Sequence, residues 1–323
     1  SSFIVKYGIE SGKAVFGRQI VFPMLRIFPN DTFGSYRLEI DNNTVPEIHA
    51  NGRPVSETAR SFRLNGTVEC NSVYEESGCR LGIERVFFPT VDKQAVCEMV
   101  TVYNRGADDI TISLSGNTDR KLDGVVGPMG AISAMIHANV ITDGLTAENA
   151  AAVLHPDRKA VVSIVYSGRL AMQNDPADGI DIEKEYVKRL DRVADLMSAA
   201  ALDTGNELFD TMFAFCKVRA GESIFRTRNG DIHSPGGGVY YAAVWCNDQA
   251  EYAGPWQAYT GDELQIKAGY NGYAWYFPFM DDSFDDPIPS SVISEGTDFW
   301  NGAGDRGDAA MYLYGASRYA LTC

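Results

Sequence analysis

Several features that would assign this chain quickly to a known class are missing from its sequence. No uninterrupted apolar stretch approaches the roughly 20 residues that a transmembrane helix needs, so the sequence predicts no membrane-spanning segment. The three glycines at 236–238 do not belong to a GxxxxGK[ST] motif, which disfavours a phosphate loop and nucleotide binding. No GxSxG segment indicates a serine nucleophile.

Positive charge is also scarce. The 323 residues contain 43 Asp and Glu against 28 Lys and Arg, which gives a formal net charge of -15. The summed field of such a chain repels phosphate backbones and anionic surfaces, so neither nucleic acid nor a membrane is expected as a partner. The composition is otherwise ordinary, with 45% hydrophobic residues, and the length favours two domains.

Cysteine and histidine are few and are not spaced for metal binding. The six cysteines show no CxxC pair, and none of the four histidines lies near two of them, so no metal site is predicted. Cys70 and Cys79 are close enough in sequence to close a short disulfide loop. The alternative is that both stay as free thiols. Cys216 lies in an apolar helical run, which predicts a buried residue. The chain begins at Ser1 without Met, as after removal of a signal peptide or after trimming; a secreted or periplasmic location is slightly favoured over a cytoplasmic one.

What the first half of the chain does contain is the pattern of β-strands. Short segments such as 35–41, 108–116 and 159–168 are separated by Gly, Asn, Asp and Pro, and most of them alternate apolar and polar residues. This alternation is typical of strands buried on one face, and helical periods between them are rare. The sequence therefore predicts an N-terminal antiparallel β-sandwich domain over residues 1–179.

The pattern changes to helices after Gly179. Residues 180–202 predict an amphipathic linker helix, and about four further helices follow in 203–323. Thr204 and Thr260 each precede a Glu at the spacing of a capping box, which predicts helix starts there. The helix after Thr204 is apolar on more than one face, which predicts burial between neighbours.

Two loops between these helices have an unusual composition. The first, 233–252, combines glycines with aromatic, amide and carboxylate side chains, including Trp245, Asn247, Asp248, Gln249 and Glu251. Aromatic rings stack on the apolar faces of pyranoses, and carboxylates and amides bind their hydroxyl groups. This loop therefore indicates sugar binding. The alternative is that Asp248 caps the next helix and Trp245 fills the core.

The second loop, 294–312, repeats this composition before another helix. It contains the residues Glu295, Asp298, Trp300, Asp305, Arg306 and Asp308. This composition again indicates sugar binding. The alternative is that Asp305 and Asp308 only stabilise the N-terminus of the helix through its dipole, and that Arg306 forms an ion pair with one of them.

The order of sandwich, linker helix, helix, YYAAVWCNDQAEY and helix resembles the six-hairpin glycosidases, which include glucoamylases, trehalases and α-rhamnosidases. The resemblance implies an (α/α)6 toroid of which residues 203–323 form the N-terminal, incomplete part. The remainder would come from a C-terminal segment or a second chain. Trp245 and Asp248 match a W-x-x-D segment whose Asp holds the sugar beside the scissile bond, although Cys246 and Asn247 replace the expected Arg or aromatic neighbours. Trp300 and Asp308 match a second sugar-binding segment.

The fold class expected is therefore multidomain α and β, and the function expected is that of an inverting glycoside hydrolase with two carboxylic residues about 6.5–9.5 Å apart. By the resemblance to α-rhamnosidases, Glu251 is the candidate catalytic acid. The candidate substrate-binding residues are Tyr241, Trp245, Asn247, Asp248, Trp300, Asp305, Arg306 and Asp308. No cofactor is expected, and the expected partner is a carbohydrate substrate. A glycoside phosphorylase and a non-catalytic carbohydrate-binding protein are the alternatives.

Overall fold

Residues 1–29, 34–234, 241–280, 288–294, 299–300 and 306–323 are described by a computed structural model, which gives only the backbone of residues 299, 300 and 306. Internal contacts divide the chain into two units. Unit 1 comprises Ser1–Phe22, Arg37–Val126 and Gly130–Leu190, and unit 2 comprises Pro23–Tyr36, Gly127–Met129 and Asp191–Cys323. The domain boundaries predicted from sequence, at residues 179 and 202, stay a prediction.

The part of the chain before residue 180 is mostly β-sheet. Its strands are β1 (Ser2–Glu10), β2 (Lys13–Arg26), β3 (Ser35–Ile40), β4 (Glu47–Ala50), β5 (Arg53–Pro54), β6 (Thr58–Leu64), β7 (Val68–Glu76), β8 (Cys79–Pro89), β9 (Ala95–Asn104), β10 (Ile110–Ser115), β11 (Asp119–Gly127), β12 (Gly130–Thr142), β13 (Leu145–Thr146), β14 (Ala151–Leu154) and β15 (Lys159–Leu170). An 11-stranded sheet has the order β1-β2-β6-β7-β8-β9-β15-β12-β11, with β3 beside β2 and β13 beside β12. A 4-stranded sheet has the order β14-β10-β4-β5. The prediction of antiparallel sheets is confirmed.

The centre of the large sheet is buried on both faces. Strand β9 lies between β8 and β15, and nearly all of its side chains are buried. Strand β15 is a continuous buried run, as its apolar sequence predicts. Val161 and Val165 of β15 pack with Phe88 of β8 in one core cluster, and Ile182 joins the same cluster.

A cluster of charged side chains lies inside this apolar sheet. Glu98 on β9 is 0% exposed, and Nε and Nη2 of Arg18 donate hydrogen bonds to its carboxylate at 2.6 and 2.7 Å. Arg85 donates to both Glu98 and Glu57, and the hydroxyl of Tyr166 donates to Glu98 at 3.1 Å. Burial by itself raises the pKa of Glu98, but the guanidinium groups of Arg18 and Arg85 outweigh burial and lower the pKa from 4.5 to about 2.

Helices dominate the rest of the chain, but they are accompanied by strands. The described helices are α1 (Ile182–Ser198), α2 (Glu207–Glu222), α3 (Cys246–Asp248), α4 (Gly254–Tyr259), α5 (Glu263–Ala274) and α6 (Arg306–Thr322). The strands are β16 (Ile224–Thr227), β17 (Gly230–His233), β18 (Ala243–Trp245), β19 (Ser291–Ile293) and β20 (Phe299–Trp300). These strands correct the prediction of almost only helix and loop after Gly179. No helix in the described part of the chain is long and apolar enough to cross a membrane.

The helix around residue 250 contains a change of helical type. One π-helical turn, Gln249–Ala253, joins α3 to α4, so the backbone runs as a helix from Cys246 to Tyr259. π turns inside α-helices occur often at functional sites, because the extra residue redirects the side chains that follow.

Two predicted helix caps are each displaced by two residues. The side chain of Asn206, and not Thr204, caps α2 by accepting from a backbone N–H at 3.0 Å. Similarly Asp262, and not Thr260, caps α5: its Oδ2 accepts a hydrogen bond from the backbone N–H of Gln265 at 3.1 Å. Thr260 instead accepts a hydrogen bond from the backbone N–H of Asp262 at 3.3 Å, which orients the true cap. Asn and Asp are at least as good as Thr at this position.

Helix α2 is less buried than its apolar sequence predicts. The exposed residues on it include Leu208, Phe209, Met212, Phe215 and Cys216. Only the face that carries Lys217 and Val218 is buried, and a methyl group at Gly221 would lie 2.6 Å from Cδ2 of Leu196. The predicted burial of α2 and of Cys216 is therefore wrong for this chain, because helical neighbours cover only one side.

The possible disulfide between Cys70 and Cys79 is not formed. Both thiols are free and buried. They lie on paired strands, but Cys70 is opposite Arg85 and Cys79 is opposite Glu76. Six residues of β8 separate Cys79 from the position opposite Cys70, roughly 20 Å at 3.3 Å per residue, which is far beyond the span of a disulfide.

Candidate functional site

A three-stranded sheet brings the two candidate sugar-binding loops together. Its strand order is β18-β19-β20, and all pairs are antiparallel. Trp245, the last residue of β18, pairs with Ser291 on β19, and Ser291 pairs in turn with Trp300 on β20. The backbones at the two Trp positions therefore lie two strands apart in the same register. Local sequence patterns contain no signal for this pairing.

The first loop ends in the helical turn that carries its carboxylates. Trp245 has extended dihedral angles and precedes α3 directly, so Asn247 and Asp248 lie in the first turn. Asp248 has helical dihedral angles, and its side chain makes no capping hydrogen bond. The alternative interpretation of Asp248 as a helix cap is therefore wrong. Asn247 and Glu251 are exposed.

Asp248 differs from Glu251 in its surroundings. Burial raises the pKa of Asp248, and the nearby charge of Glu251 adds to this rise. The nearby hydroxyl of Tyr252 favours the ionised carboxylate and so opposes this rise in the pKa of Asp248. The pKa of Tyr252 is also raised. Burial is the larger cause, and the negative charge of Asp248 is the second. The partly buried carboxyl of the pair is thus Asp248, whose pKa is raised above that of a free aspartate.

Trp245 is partly buried beside a small apolar cluster. It packs with Met129 against the buried side chains of Tyr241, Ala243 and Ile293. The alternative interpretation, that Trp245 fills the core, therefore holds for one part of its side chain. The other part of the side chain is accessible to solvent.

Tyr241, a predicted sugar contact, is fully buried. Its exposed fraction is 0%, and Ser294 donates a hydrogen bond to its hydroxyl at 2.6 Å. The guanidinium group of Arg26 lies over its ring at 5.6 Å from the centroid. A sugar could reach this tyrosine only by displacing these neighbours.

Asp308, a predicted sugar-binding residue, lies close to the first loop. It is in the first turn of α6, and Ser290 donates a hydrogen bond to Oδ2 at 2.6 Å. The thiol of Cys246 donates to the Asp308 carbonyl oxygen at 3.1 Å. The pKa of Tyr276 is raised mainly by burial and next by Cys246. The charges of Asp308 and Asp248 raise it further, which places both carboxylates near this tyrosine. Asp308 is 5% exposed, so it is placed to hold the loops together from inside.

Five residues of the second loop are described only in part or not at all. Asp305, with Glu295 and Asp298, lies outside the described residues, and for Trp300 and Arg306 only the backbone is described. The predicted pairing of Arg306 with an Asp therefore stays a prediction. Within the described part of the chain, no group of three or more His, Cys, Asp or Glu side chains is arranged to hold a metal ion.

A cavity lies beside this turn in unit 2. Its volume is about 310 Å³, and its lining residues are Ala220, His233, Tyr252, Ala253, Trp256, Gln257 and Gln265. The ring of His233 meets that of Tyr252 edge-on at a centroid distance of 6.3 Å. Burial lowers the pKa of His233 to about 4, so its imidazole is neutral above pH 5. Trp256 donates a hydrogen bond to the Gln265 side chain at 3.2 Å.

Sequence analysis did not identify this cavity. Tyr252 and Trp256 are four residues apart on one helical face, and Gln265 lies on the next helix. Tyr252 is the residue that lines the cavity and also contacts Asp248. The spacing of Tyr252, Trp256 and the two glutamines was the only available signal, and it is also typical of ordinary helix packing.

Comparison with known proteins shows a similarity of fold. No protein-family model matches the chain, and no curated protein matches it. Its fold is similar to that of a solved structure named "Putative kojibiose phosphorylase from human microbiome", with a TM-score of 0.55 and 11% sequence identity. The match covers 96% of this chain and 51% of that one, so this chain spans about half the length of that protein. At this identity the similarity concerns the fold.

Proposed function

We propose that this chain carries the sugar-binding part of a carbohydrate-active enzyme, and that the reaction is phosphorolysis of a glycosidic bond. The observation that carries the proposal is the fold similarity to a protein named as a kojibiose phosphorylase, which extends over 96% of the chain. The convergence of the Trp245 turn and the Trp300 strand on β19 supports it, because two loops predicted to bind sugar meet there.

In this proposal helices α2 to α6 belong to an (α/α)6 toroid of the six-hairpin type, and the sheets before residue 180 form its accompanying β-sandwich. The exposed apolar side chains of α2, among them Phe209 and Met212, support the toroid, because additional helices would cover them.

Trp245 would stack on a pyranose ring, and Asp248 would bind its hydroxyl groups. In phosphorolysis a phosphate oxygen attacks the anomeric carbon, the bond to the leaving oxygen breaks, and a carboxylic acid transfers its proton to that oxygen. No general base is needed, because phosphate replaces water. Glu251 remains the acid candidate, and the raised pKa of Asp248 makes it the competing one.

Two variants separate these roles. We expect Asp248→Asn and Glu251→Gln each to lower turnover at least about a hundredfold if the carboxylate orients the sugar or donates the proton. A dinitrophenyl glycoside needs no proton on its leaving group, so only the variant that has lost the acid should recover activity with it. Near-wild-type turnover in both variants would remove this turn from the mechanism.

Hydrolysis by inversion is the second candidate. It is favoured by the cavity, whose lining residues carry no Lys or Arg side chain among those described. The deciding experiment incubates the protein with kojibiose and other glucose disaccharides, with and without orthophosphate. Sugar 1-phosphate formed only with orthophosphate supports phosphorolysis, and free sugar formed at equal rates in both supports hydrolysis. Absence of any product with every disaccharide contradicts the enzymatic proposal and favours a binding protein.

A further inference from the structure

The π turn at Gln249–Ala253 has a hydrogen-bond partner outside its own helix. In an α-helix the Gln249 carbonyl would accept from the N–H four residues later, but here it accepts from the N–H of Gly254, five residues later. Tyr273 on α5 donates a further hydrogen bond to the same carbonyl oxygen at 3.2 Å. A carbonyl oxygen has two lone pairs, so both donors bind it at once.

The side chain of Gln249 is attached to the same neighbouring helix. Its Nε2 donates to the carbonyl oxygen of Gly269 at 3.1 Å, and a methyl group at Gly272 would lie 2.7 Å from its Cδ. Gln249 is 2% exposed. The first residue of the π turn is thus bound to α5 through both its backbone and its side chain.

A glycine at position 254 leaves the room that the Tyr273 hydroxyl needs. A methyl group at Gly254 would collide with this hydroxyl oxygen and would lie 2.6 Å from the Gln249 carbonyl oxygen. The ring of Tyr273 packs against the rings of Tyr312 and Tyr319 on α6, with 5.7 Å between centroids in both pairs, which limits its rotation. Burial raises the pKa of Tyr273, so its hydroxyl stays protonated and donates at neutral pH.

The two candidate carboxylates lie at this turn. Asp248 directly precedes it, and Glu251 is within it. Their orientation relative to Trp245 depends on whether the helix makes a π-type or an α-type hydrogen bond here. We propose that Tyr273 is a positioning residue, whose hydroxyl maintains the π turn and thereby orients Asp248 and Glu251 for the reaction. The role in the reaction rests on the proposed function, whereas the effect on the turn does not.

The test compares Tyr273→Phe with Tyr319→Phe. Tyr319 is the matched control, because it is a similarly buried tyrosine of the same aromatic group whose hydroxyl donates to a different backbone carbonyl, that of Ile266. We expect crystal structures to show an α-helical turn in place of the π turn in Tyr273→Phe, and an unchanged π turn in Tyr319→Phe.

Turnover separates positioning from a general loss of stability. It is measured per folded protein with kojibiose and other glucose disaccharides in the presence of orthophosphate. We expect kcat to fall at least about tenfold in Tyr273→Phe, because a misplacement of about 1 Å can cost a hundredfold. Tyr319→Phe loses a comparable hydrogen bond and should keep the kcat of the wild type.

A second variant keeps the test decisive if Tyr273→Phe does not fold. Gly254→Ala displaces the same hydroxyl from the other side, so it should also replace the π turn and lower kcat. In thermal unfolding, Gly254→Ala should cost less stability in the Tyr273→Phe background than in the wild type, because the colliding hydroxyl is then absent.

An unchanged π turn in Tyr273→Phe overturns the proposal, and where that variant does not fold, an unchanged turn in Gly254→Ala does so. A changed turn with wild-type kcat, or equal losses of kcat in Tyr273→Phe and Tyr319→Phe, also overturns it. A wild type that forms no product from any disaccharide contradicts the proposed function instead, and the crystal structures then decide by themselves whether Tyr273 maintains the turn.

Discussion

The buried carboxylate of Glu98 should control the stability of unit 1, and Glu98→Gln tests this. The substitution leaves the guanidinium groups of Arg18 and Arg85 buried without the carboxylate that both contact. Removing one partner of a buried ion pair costs about 3–5 kcal/mol. We therefore expect the free energy of unfolding of unit 1 to fall by that amount at pH 7.

The pH dependence gives an independent magnitude. The pKa of Glu98 falls from 4.5 to about 2 on folding, which is 2.5 units and corresponds to about 3 kcal/mol. Because the folded pKa is the lower one, this stabilisation is complete above pH 4.5 and is lost as the pH falls toward 2. Glu57, Tyr166 and the two arginines are the ionisable groups in contact with the cluster. The difference between wild type and Glu98→Gln should therefore shrink between pH 5.5 and 2.5.

The measurement is urea unfolding at a series of pH values, followed by hydrogen exchange of peptides from β9 and β15 with mass spectrometry. These strands report unit 1 specifically. Glu84→Gln is the control, because Glu84 is an exposed residue on β8 that accepts a hydrogen bond from Tyr103 at 3.1 Å. It should change stability by no more than about 0.5 kcal/mol. Equal losses of stability in wild type and Glu98→Gln over the acid range would refute the reasoning.

Two further substitutions test the packing of unit 2. Gly315→Ala should lower the free energy of unfolding, measured by thermal unfolding, by about 1–3 kcal/mol, because the added methyl group would lie 2.6 Å from Cα of Ala250. Gly8→Ala, in unit 1, is the control: the nearest atom to its added methyl group is 3.8 Å away, so it should be nearly neutral in the same assay. Lys217→Met should cost about 2–3 kcal/mol, because Nζ donates to three carbonyl oxygens at 2.6 to 3.1 Å. The exposed Lys267→Met is its control, and equal effects of the two lysine variants would show that these bonds do not matter.

The sequence predicted the elements whose formation depends on local pattern. The alternating segment at 35–41 forms β3, that at 108–116 contains β10, and the amphipathic stretch after Gly179 forms α1. In each, one face is apolar over enough residues to distinguish a period of two from a period of 3.6. The short strands β18, β19 and β20 were missed because two or three residues are too few to show any period.

The site was predicted in composition but not in arrangement. That Trp245 and Asp248 bind sugar stays a prediction. The meeting of their turn with β20 depends on the pairing of β18 with β19, which joins residues 46 to 50 positions apart. The burial that raises the pKa of Asp248 depends on the tertiary fold in the same way. The cavity lined by Tyr252, Trp256 and Gln257 was not recognised, because the spacing of these residues is also typical of ordinary helix packing.

The π turn at Gln249–Ala253 sets the rotation of the side chains before it, around the helix axis, relative to those after it. Each residue of an α-helix turns the chain by about 100°, so one residue more or less in this turn rotates everything before it relative to everything after it. Trp245 and Asp248 lie on one side of the turn, and Trp256 and Gln257 lie on the other. A single-residue deletion within the turn would therefore reorient the carboxylate relative to the cavity while leaving the composition of both unchanged.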